Sequence, residues 1–183
     1  MMHPWADDLA GTLDAAWDRM AEGAARGGDH GAVSLATLGA EGPEVRTVVL
    51  RRADRDAAEV EVNTDSRSAK VAALAADPRA ALMLWDAGIR LQVRARLRCR
   101  VLVGDAARWN ALSDDARWNY GAEPSPGTAI EAPDAWRRPK AREGFAAIVG
   151  QVEEIDTVLL DPAGHRRALF RAADGFAGRW LSP

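Results

Sequence analysis

The chain has 183 residues, a net charge of −3, one cysteine and three histidines. This length fits one domain with a buried core, the slightly negative charge disfavours broad binding to nucleic acid, and one cysteine excludes a disulfide framework or a cysteine-based zinc site. No apolar run is long enough to span a membrane, and the acidic N-terminus lacks the features of a secretory signal peptide, so we expect a cytoplasmic protein with no membrane partner and no bound metal.

The first 28 residues are predicted to be mainly helical, with an amphipathic helix from Pro4 to Arg26. Its apolar side chains recur at helical spacing: Trp5, Leu9, Leu13, Trp17 and Met20. Glycines at the end of this segment stop the helix. Alternating segments then predict strands at residues 32–38, 45–52, 59–63 and 80–85, and the turn at 39–42 joins the first two as a hairpin.

A long strand is predicted from Ile89 to Val103, because apolar side chains from Leu91 to Val101 alternate strictly with Gln92 and four arginines. Helical spacing returns at residues 105–118. Residues 121–139 are rich in Gly, Pro and Ala and are predicted to form a long loop. Strands follow at 145–160, 166–171 and 176–181. This succession favours one mainly β domain over residues 1–183, an antiparallel barrel with peripheral helices, since closure removes exposed strand edges.

Three segments carry candidate chemistry. The strand Arg46–Arg51 has an arginine at each end of an apolar centre. In the segment Asn63–Lys70 a strand ends and a helix is predicted to begin at residues 64–66, so that N–H groups, hydroxyls and two cations suit a phosphate monoester. The amide of Gln92 both donates and accepts, which matches a flavin or pyrimidine edge. Each segment alone also fits an ordinary strand, a capped helix or a solvent-facing side chain.

The order of these segments resembles the pyridoxamine 5′-phosphate oxidase family of FMN-binding split β-barrels. RTVVLR, NTDSRSAK, DPRAALMLW and LQVRARL follow one another like the family's R-x-V-L-L-K, Y-T-N with S-R-K, N-P-x-A before a W, and R-Q-V-R-V. The ending HRRALFRAADGFAGRWLSP is similar to the family's H-x-R, D-G-W and L-x-P. The resemblance covers residues 32–183. It implies an antiparallel split β-barrel with an N-terminal helix, an FMN cofactor and a homodimer.

The resemblance also implies residues that bind the cofactor. They are Arg46, Thr47, Val48, Val49, Arg51, Asn63, Thr64, Arg67, Ser68, Lys70, Gln92 and Arg167. Arg46 to Arg51 would line the flavin, and Asn63, Thr64, Ser68 and Lys70 would lie at its phosphate. Ala69 stands where the family has an arginine, and Arg67 would supply that charge instead. Gln92 matches a flavin-binding glutamine, and Arg167 matches an arginine that reaches the flavin across the dimer interface.

Departures from the family pattern concern the substrate. Pro124 and Ala163 stand where the family has two arginines for the substrate phosphate, and the family's Q-S-S contact is absent from residues 121–139. Arg51, Tyr120 and His165 remain as candidate substrate contacts. The resemblance therefore implies an FMN-dependent oxidoreductase whose small-molecule substrate is not pyridoxine 5′-phosphate, with no identified catalytic acid or base.

Two alternatives remain open at this point. The first is a flavin carrier or redox sensor without turnover. The second is a haem-binding split barrel, for which His165 is the candidate axial ligand.

Overall fold

Eight antiparallel strands form the centre of the computed structural model, which describes residues 3–183. The strands are β1 (Ala32–Gly39), β2 (Gly42–Asp54), β3 (Glu59–Asp65), β4 (Arg79–Asp86), β5 (Leu91–Val103), β6 (Phe145–Leu159), β7 (Arg166–Arg171) and β8 (Arg179–Leu181). They are ordered β3-β2-β1-β4-β5-β6-β7-β8, and β3 also pairs with β6. That extra pairing closes six strands into a barrel, and β7 and β8 extend the sheet beyond β6. The predicted mainly β, antiparallel barrel is confirmed.

The long strand β5 shows why the barrel closes around a dry centre. Its inner side chains Leu91, Val93, Ala95 and Leu97 are at most 2% exposed. The arginines of its outer face form ion pairs with acidic residues of β3 and β6. The strict alternation of the sequence is thus an inside–outside pattern of the barrel wall.

Helix α1 (Leu9–Arg26) covers the barrel with the buried side chains of Trp17 and Met20. It begins at Leu9 rather than at the predicted Pro4, because the carboxylate of Asp8 caps it by accepting a hydrogen bond from the Gly11 N–H at 2.7 Å. No helix among the described residues is both long and apolar enough to cross a membrane.

The remaining helices are α2 (Ala69–Ala76), α3 (Ala106–Ala111) and α4 (Asp114–Arg117). The predicted start of α2 at residues 64–66 was wrong, because Thr64 and Asp65 pair with β6 and so complete β3. The single helix predicted over residues 105–118 is two short ones, since Ser113 leaves the helix and caps α4. Residues 121–139 form the predicted loop, crossed by a single bridge between Glu123 and Arg137. The last strand begins at Arg179 rather than Phe176, because a 3₁₀ turn and positive φ angles precede it.

Candidate functional site

The turn between β3 and α2 forms a cradle of hydroxyl groups around one cation. Thr64 and Ser68 are buried, at 8% and 5% exposure, and their hydroxyl oxygens lie 3.2 Å apart. The Lys70 ammonium donates to the Thr64 hydroxyl at 3.0 Å. Burial lowers the pKa of Lys70, and repulsion from Arg46 lowers it further, although Asp65 opposes the shift. An anion placed here would relieve that repulsion.

Arg46 reaches the same cleft from β2. Its guanidinium donates to the Thr37 hydroxyl at 2.7 Å and to the Glu44 carboxylate at 2.6 Å. Together with Ser68 and Lys70 it lines an open cleft of about 510 Å³, whose far wall is the loop segment at Pro126 and Gly127. Glu44, which pairs with Arg46, lines the cleft as well, so among the described residues Lys70 is the cation there without a carboxylate in ion-pair contact. A cation of this kind, hydroxyl groups and an open mouth fit a phosphate monoester such as that of FMN.

The rest of the RTVVLR strand divides between the two faces of the barrel wall. Val48 packs against the core, so a ligand outside the barrel could meet only its backbone. Thr47 and Arg51 are exposed, and Val49 is half-buried on the same outer side. Val45 precedes them on that face and is 70% exposed. β2 therefore offers an open, partly apolar strip beside the cleft.

Tyr120 and Asn63 form a polar group at the end of the strip that carries Arg51. Tyr120 is 4% exposed and packs its ring edge-on against Phe145. Burial raises the pKa of Tyr120, while the charge of Arg51 and contacts with Asn63 and Arg51 oppose the rise. The side-chain oxygen of Asn63 is buried and has no hydrogen-bond partner among the described residues. Arg51 and Tyr120, two predicted substrate residues, are therefore brought together.

Gln92 and Arg167 lie elsewhere, on the outer face of β5, β6 and β7. Gln92 is opposite Val158, and Val158 is opposite Arg167, so one valine separates the two predicted flavin contacts. Arg167 donates to both oxygens of Asp156, at 3.1 and 2.9 Å. That ion pair raises the pKa of Arg167 and fixes its guanidinium beside Val158.

Within one chain, Gln92 and Arg167 are distant from the cradle around Lys70. Three strand-to-strand steps separate β2 from β5. At about 4.8 Å a step this is about 14 Å along the sheet. His165, the third predicted substrate residue, is exposed in the connection between β6 and β7, as is Ala163. The predicted cofactor residues thus fall into two groups, a cradle half on β2, β3 and α2 and an outer half on β5 to β7.

Arg67 is engaged in a contact that the sequence did not indicate. Its guanidinium donates to both oxygens of Asp65, at 3.0 and 2.7 Å, and to the Ala122 carbonyl at 2.9 Å. Burial opposes ionisation of Asp65, yet donors from Arg67 and Gly121 outweigh it and lower the pKa of the carboxyl. Arg67 is not among the residues that line the open cleft beside Lys70.

Comparison with known proteins agrees with this architecture. Residues 21–159 match the family model described as pyridoxamine 5′-phosphate oxidase. A search of curated protein sequences gives no match.

Three solved structures illustrate the similarity of fold. An FMN-binding protein from Nostoc punctiforme PCC 73102, related to pyridoxamine 5′-phosphate oxidase, is 23% identical with a TM-score of 0.74, over 100% of both chains. PhzG from Burkholderia lata 383, solved with tetrahydrophenazine-1-carboxylic acid, is 19% identical with a TM-score of 0.73, over 100% of this chain and 98% of PhzG. A haem-binding protein from Mycobacterium smegmatis is 17% identical with a TM-score of 0.54, over 94% of this chain and 60% of its own.

Proposed function

Because the chain belongs to the pyridoxamine 5′-phosphate oxidase family, we propose that it binds FMN and acts as an FMN-dependent oxidoreductase. The observation that carries the proposal is the cleft in which Arg46, Ser68 and Lys70 meet. Lys70 is half-buried there beside a second cation and hydrogen-bonded to a hydroxyl. Such a cation is costly without an anion, and a phosphate monoester supplies one.

In this proposal the chain's residues bind and orient, and FMN when bound supplies hydride-transfer chemistry. Lys70 and Arg46 neutralise the phosphate, and the Thr64 and Ser68 hydroxyls hydrogen-bond to it. Thr47, Val49 and Arg51 give the flavin a surface along β2, and Asn63 lies beside Tyr120. A titration followed by flavin fluorescence tests the proposal. FMN should bind more tightly than riboflavin, which lacks the phosphate, and equal affinities would remove the argument.

We also propose that the flavin site is completed by a second copy of the chain. The distance between the cradle half and the outer half supports this arrangement, because Gln92 and Arg167 would then approach the flavin from the partner. An exposed apolar side chain lies beside each half of the site. Val45 on β2 is 70% exposed beside the cradle half, and Trp85 on β4, opposite Gln92, is 46% exposed beside the outer half. Light scattering at micromolar concentration should give twice the chain mass. A monomer that binds FMN tightly would refute the dimer and the role of Arg167.

For the substrate we propose a small molecule other than pyridoxine 5′-phosphate. Arg51 and Tyr120, which lie close together, are two candidates to hold it, and His165 is the third. Pro124 has no N–H donor, and Ala163 offers only its backbone. Each lost charge-assisted contact costs about 1.5–3 kcal/mol. FMN-loaded protein should therefore oxidise pyridoxine 5′-phosphate weakly or not at all. Turnover of about one per second, at the low end for enzymes, would show that other residues replace the missing arginines.

Two further candidates are separated by the absorbance spectrum of the purified protein. A carrier or sensor would show flavin bands without turnover when electron donors are added. The likeness to the haem-binding protein from Mycobacterium smegmatis favours testing a haem site with His165 as ligand. A Soret band that His165→Ala abolishes would support haem and contradict the flavin proposal.

A further inference from the structure

The carboxylate of Asp65 is the centre of a compact hydrogen-bonded clip. It is 7% exposed and accepts four N–H groups within the described residues. Three come from Arg67: the backbone N–H at 2.9 Å, Nε at 3.0 Å and Nη2 at 2.7 Å. The fourth is the backbone N–H of Gly121 at 3.0 Å, which lies 56 positions further along the chain. The clip thus joins the end of β3 to the start of the 121–139 loop.

The start of this loop is held by backbone contacts as well. Arg67 donates to the Ala122 carbonyl at 2.9 Å, in addition to its bonds with Asp65. Gly121 lies directly on Gly144, where an added Cβ would come within 2.6 Å of the Gly121 Cα. The Ser66 N–H donates to the Gly144 carbonyl at 2.8 Å. The turn at residues 65–67 and the base of the loop are therefore fitted together closely.

Above its base, the loop is held together by a second set of contacts. Glu123 and Arg137 exchange two backbone hydrogen bonds, at 2.9 and 2.7 Å, and their side chains pair at 3.1 Å. The contacts between Glu123 and Arg137 thus close residues 124–136 into one loop tip. Pro126 and Gly127 of that loop tip line the cleft together with Lys70.

We propose that Asp65 is a positioning residue for phosphate binding, and that it acts through Arg67 and Gly121. The clip sets Pro126 and Gly127 against the cleft, and it lies on the turn that ends at Ser68 and leads into Lys70 of α2. Arg67 then contributes by holding the loop rather than by contacting the phosphate. The inference rests on the proposed function for the identity of the ligand, and the contacts of the clip stand independently of it.

Asp65→Asn tests the clip because the amide is nearly the same size. It removes the charge and brings an NH₂ donor into a site where all four neighbours are donors. Hydrogen exchange measured without ligand should become faster in peptides that cover residues 121–137 and stay unchanged in peptides of β5. Unchanged exchange in residues 121–137 would overturn the inference.

The chain contains a matched control. Asp77 and Arg79 have the same spacing and the same three contacts within the pair, with Asp77 accepting from the Arg79 N–H at 3.0 Å, Nε at 3.0 Å and Nη2 at 2.6 Å. That pair follows α2 and does not line the cleft. Asp77→Asn should therefore leave both loop exchange and FMN affinity as they are in the unaltered chain. A loop response equal to that of Asp65→Asn would overturn the inference.

Affinity separates this inference from the proposed function. Asp65→Asn should weaken FMN binding about tenfold, the equivalent of one or two hydrogen bonds, and leave riboflavin binding unchanged. If the unaltered chain prefers FMN and Asp65→Asn binds FMN equally well, positioning by Asp65 is refuted and the flavin site stands. If the unaltered chain binds neither flavin, the proposed function fails and the phosphate role fails with it.

A second variant covers the case in which Asp65→Asn does not fold. Arg67→Lys keeps a positive charge on a side chain that is 40% exposed, and it cannot make the two-pronged contact. It should give the same loop response and the same selective loss of FMN affinity, to a smaller degree. Loss of FMN and riboflavin affinity by equal factors would refute a role specific to the phosphate.

Discussion

Replacement of Lys70 by alanine probes the centre of the cradle. The Lys70 ammonium is 3.0 Å from the Thr64 hydroxyl and faces the cleft beside Arg46. A charge-assisted contact to phosphate is worth about 1.5–3 kcal/mol, so FMN affinity should fall by about one to two decades. Without ligand the same ammonium is partly desolvated and repelled by Arg46. The free energy of unfolding of the ligand-free protein should therefore stay constant or rise.

Fluorescence titration and urea unfolding measure the two effects separately. Lys140→Ala is the matched control, because the chain has only these two lysines and Lys140 pairs with Asp114 on the surface. The control should keep the affinity of the unaltered chain, and riboflavin binding should be the same in all three proteins. If Lys70→Ala binds FMN as tightly as the unaltered chain while remaining folded, Lys70 is a surface residue and the cradle argument is wrong.

Three further outcomes follow from individual residues. The pKa of Lys70 lies below its usual value of 10.5, and the charged form of Lys70 is the one that binds phosphate, so FMN affinity should fall as the pH rises through this lowered pKa. Lys70→Arg should abolish the decline, and a decline that persists in this variant would contradict the assignment. Burial raises the pKa of the Cys99 thiol to about 11, so iodoacetamide at about pH 8 should label it only after unfolding; rapid labelling of the folded protein would contradict its burial. Gly150→Ala would place a Cβ 2.9 Å from Leu97 Cδ1 in the barrel, so urea unfolding should show a loss of about 1–3 kcal/mol, and an unchanged midpoint would mean that Leu97 moves freely.

Periodicity in the sequence predicted the barrel wall well. β5 alternates because one face meets the core and the other meets solvent, and this information is local. The start of α2, in contrast, could not be predicted from the local sequence. The hydroxyl and carboxyl groups at Thr64, Asp65 and Ser66 resemble a helix cap, and the pairing of Thr64 and Asp65 with β6 overrides that preference.

The candidate site divides in the same way. Ser68 and Lys70 were predicted from one short motif, and the structure places both beside the cleft. The role of Asp65 was missed, because its partner Gly121 is 56 positions away in a loop without periodicity. The proximity of Tyr120 to Arg51 and Asn63 likewise depends on the closed barrel. Contacts between distant segments need the fold before they can be assigned.

The balance of charge separates Lys70 from the other cations of the barrel, including Arg46 of the cradle, which is paired with Glu44. The arginines of β5 have carboxylates on β3 and β6 as partners, and Arg167 is neutralised by Asp156. A solvated, ion-paired face of this kind has little remaining attraction for a polyanion. Lys70 differs, because among the described residues its ammonium is hydrogen-bonded to a hydroxyl, with no carboxylate in ion-pair contact. The uncompensated cation in an open cleft is therefore the place where a small anion gains most, which is why the phosphate end of FMN should dominate its affinity.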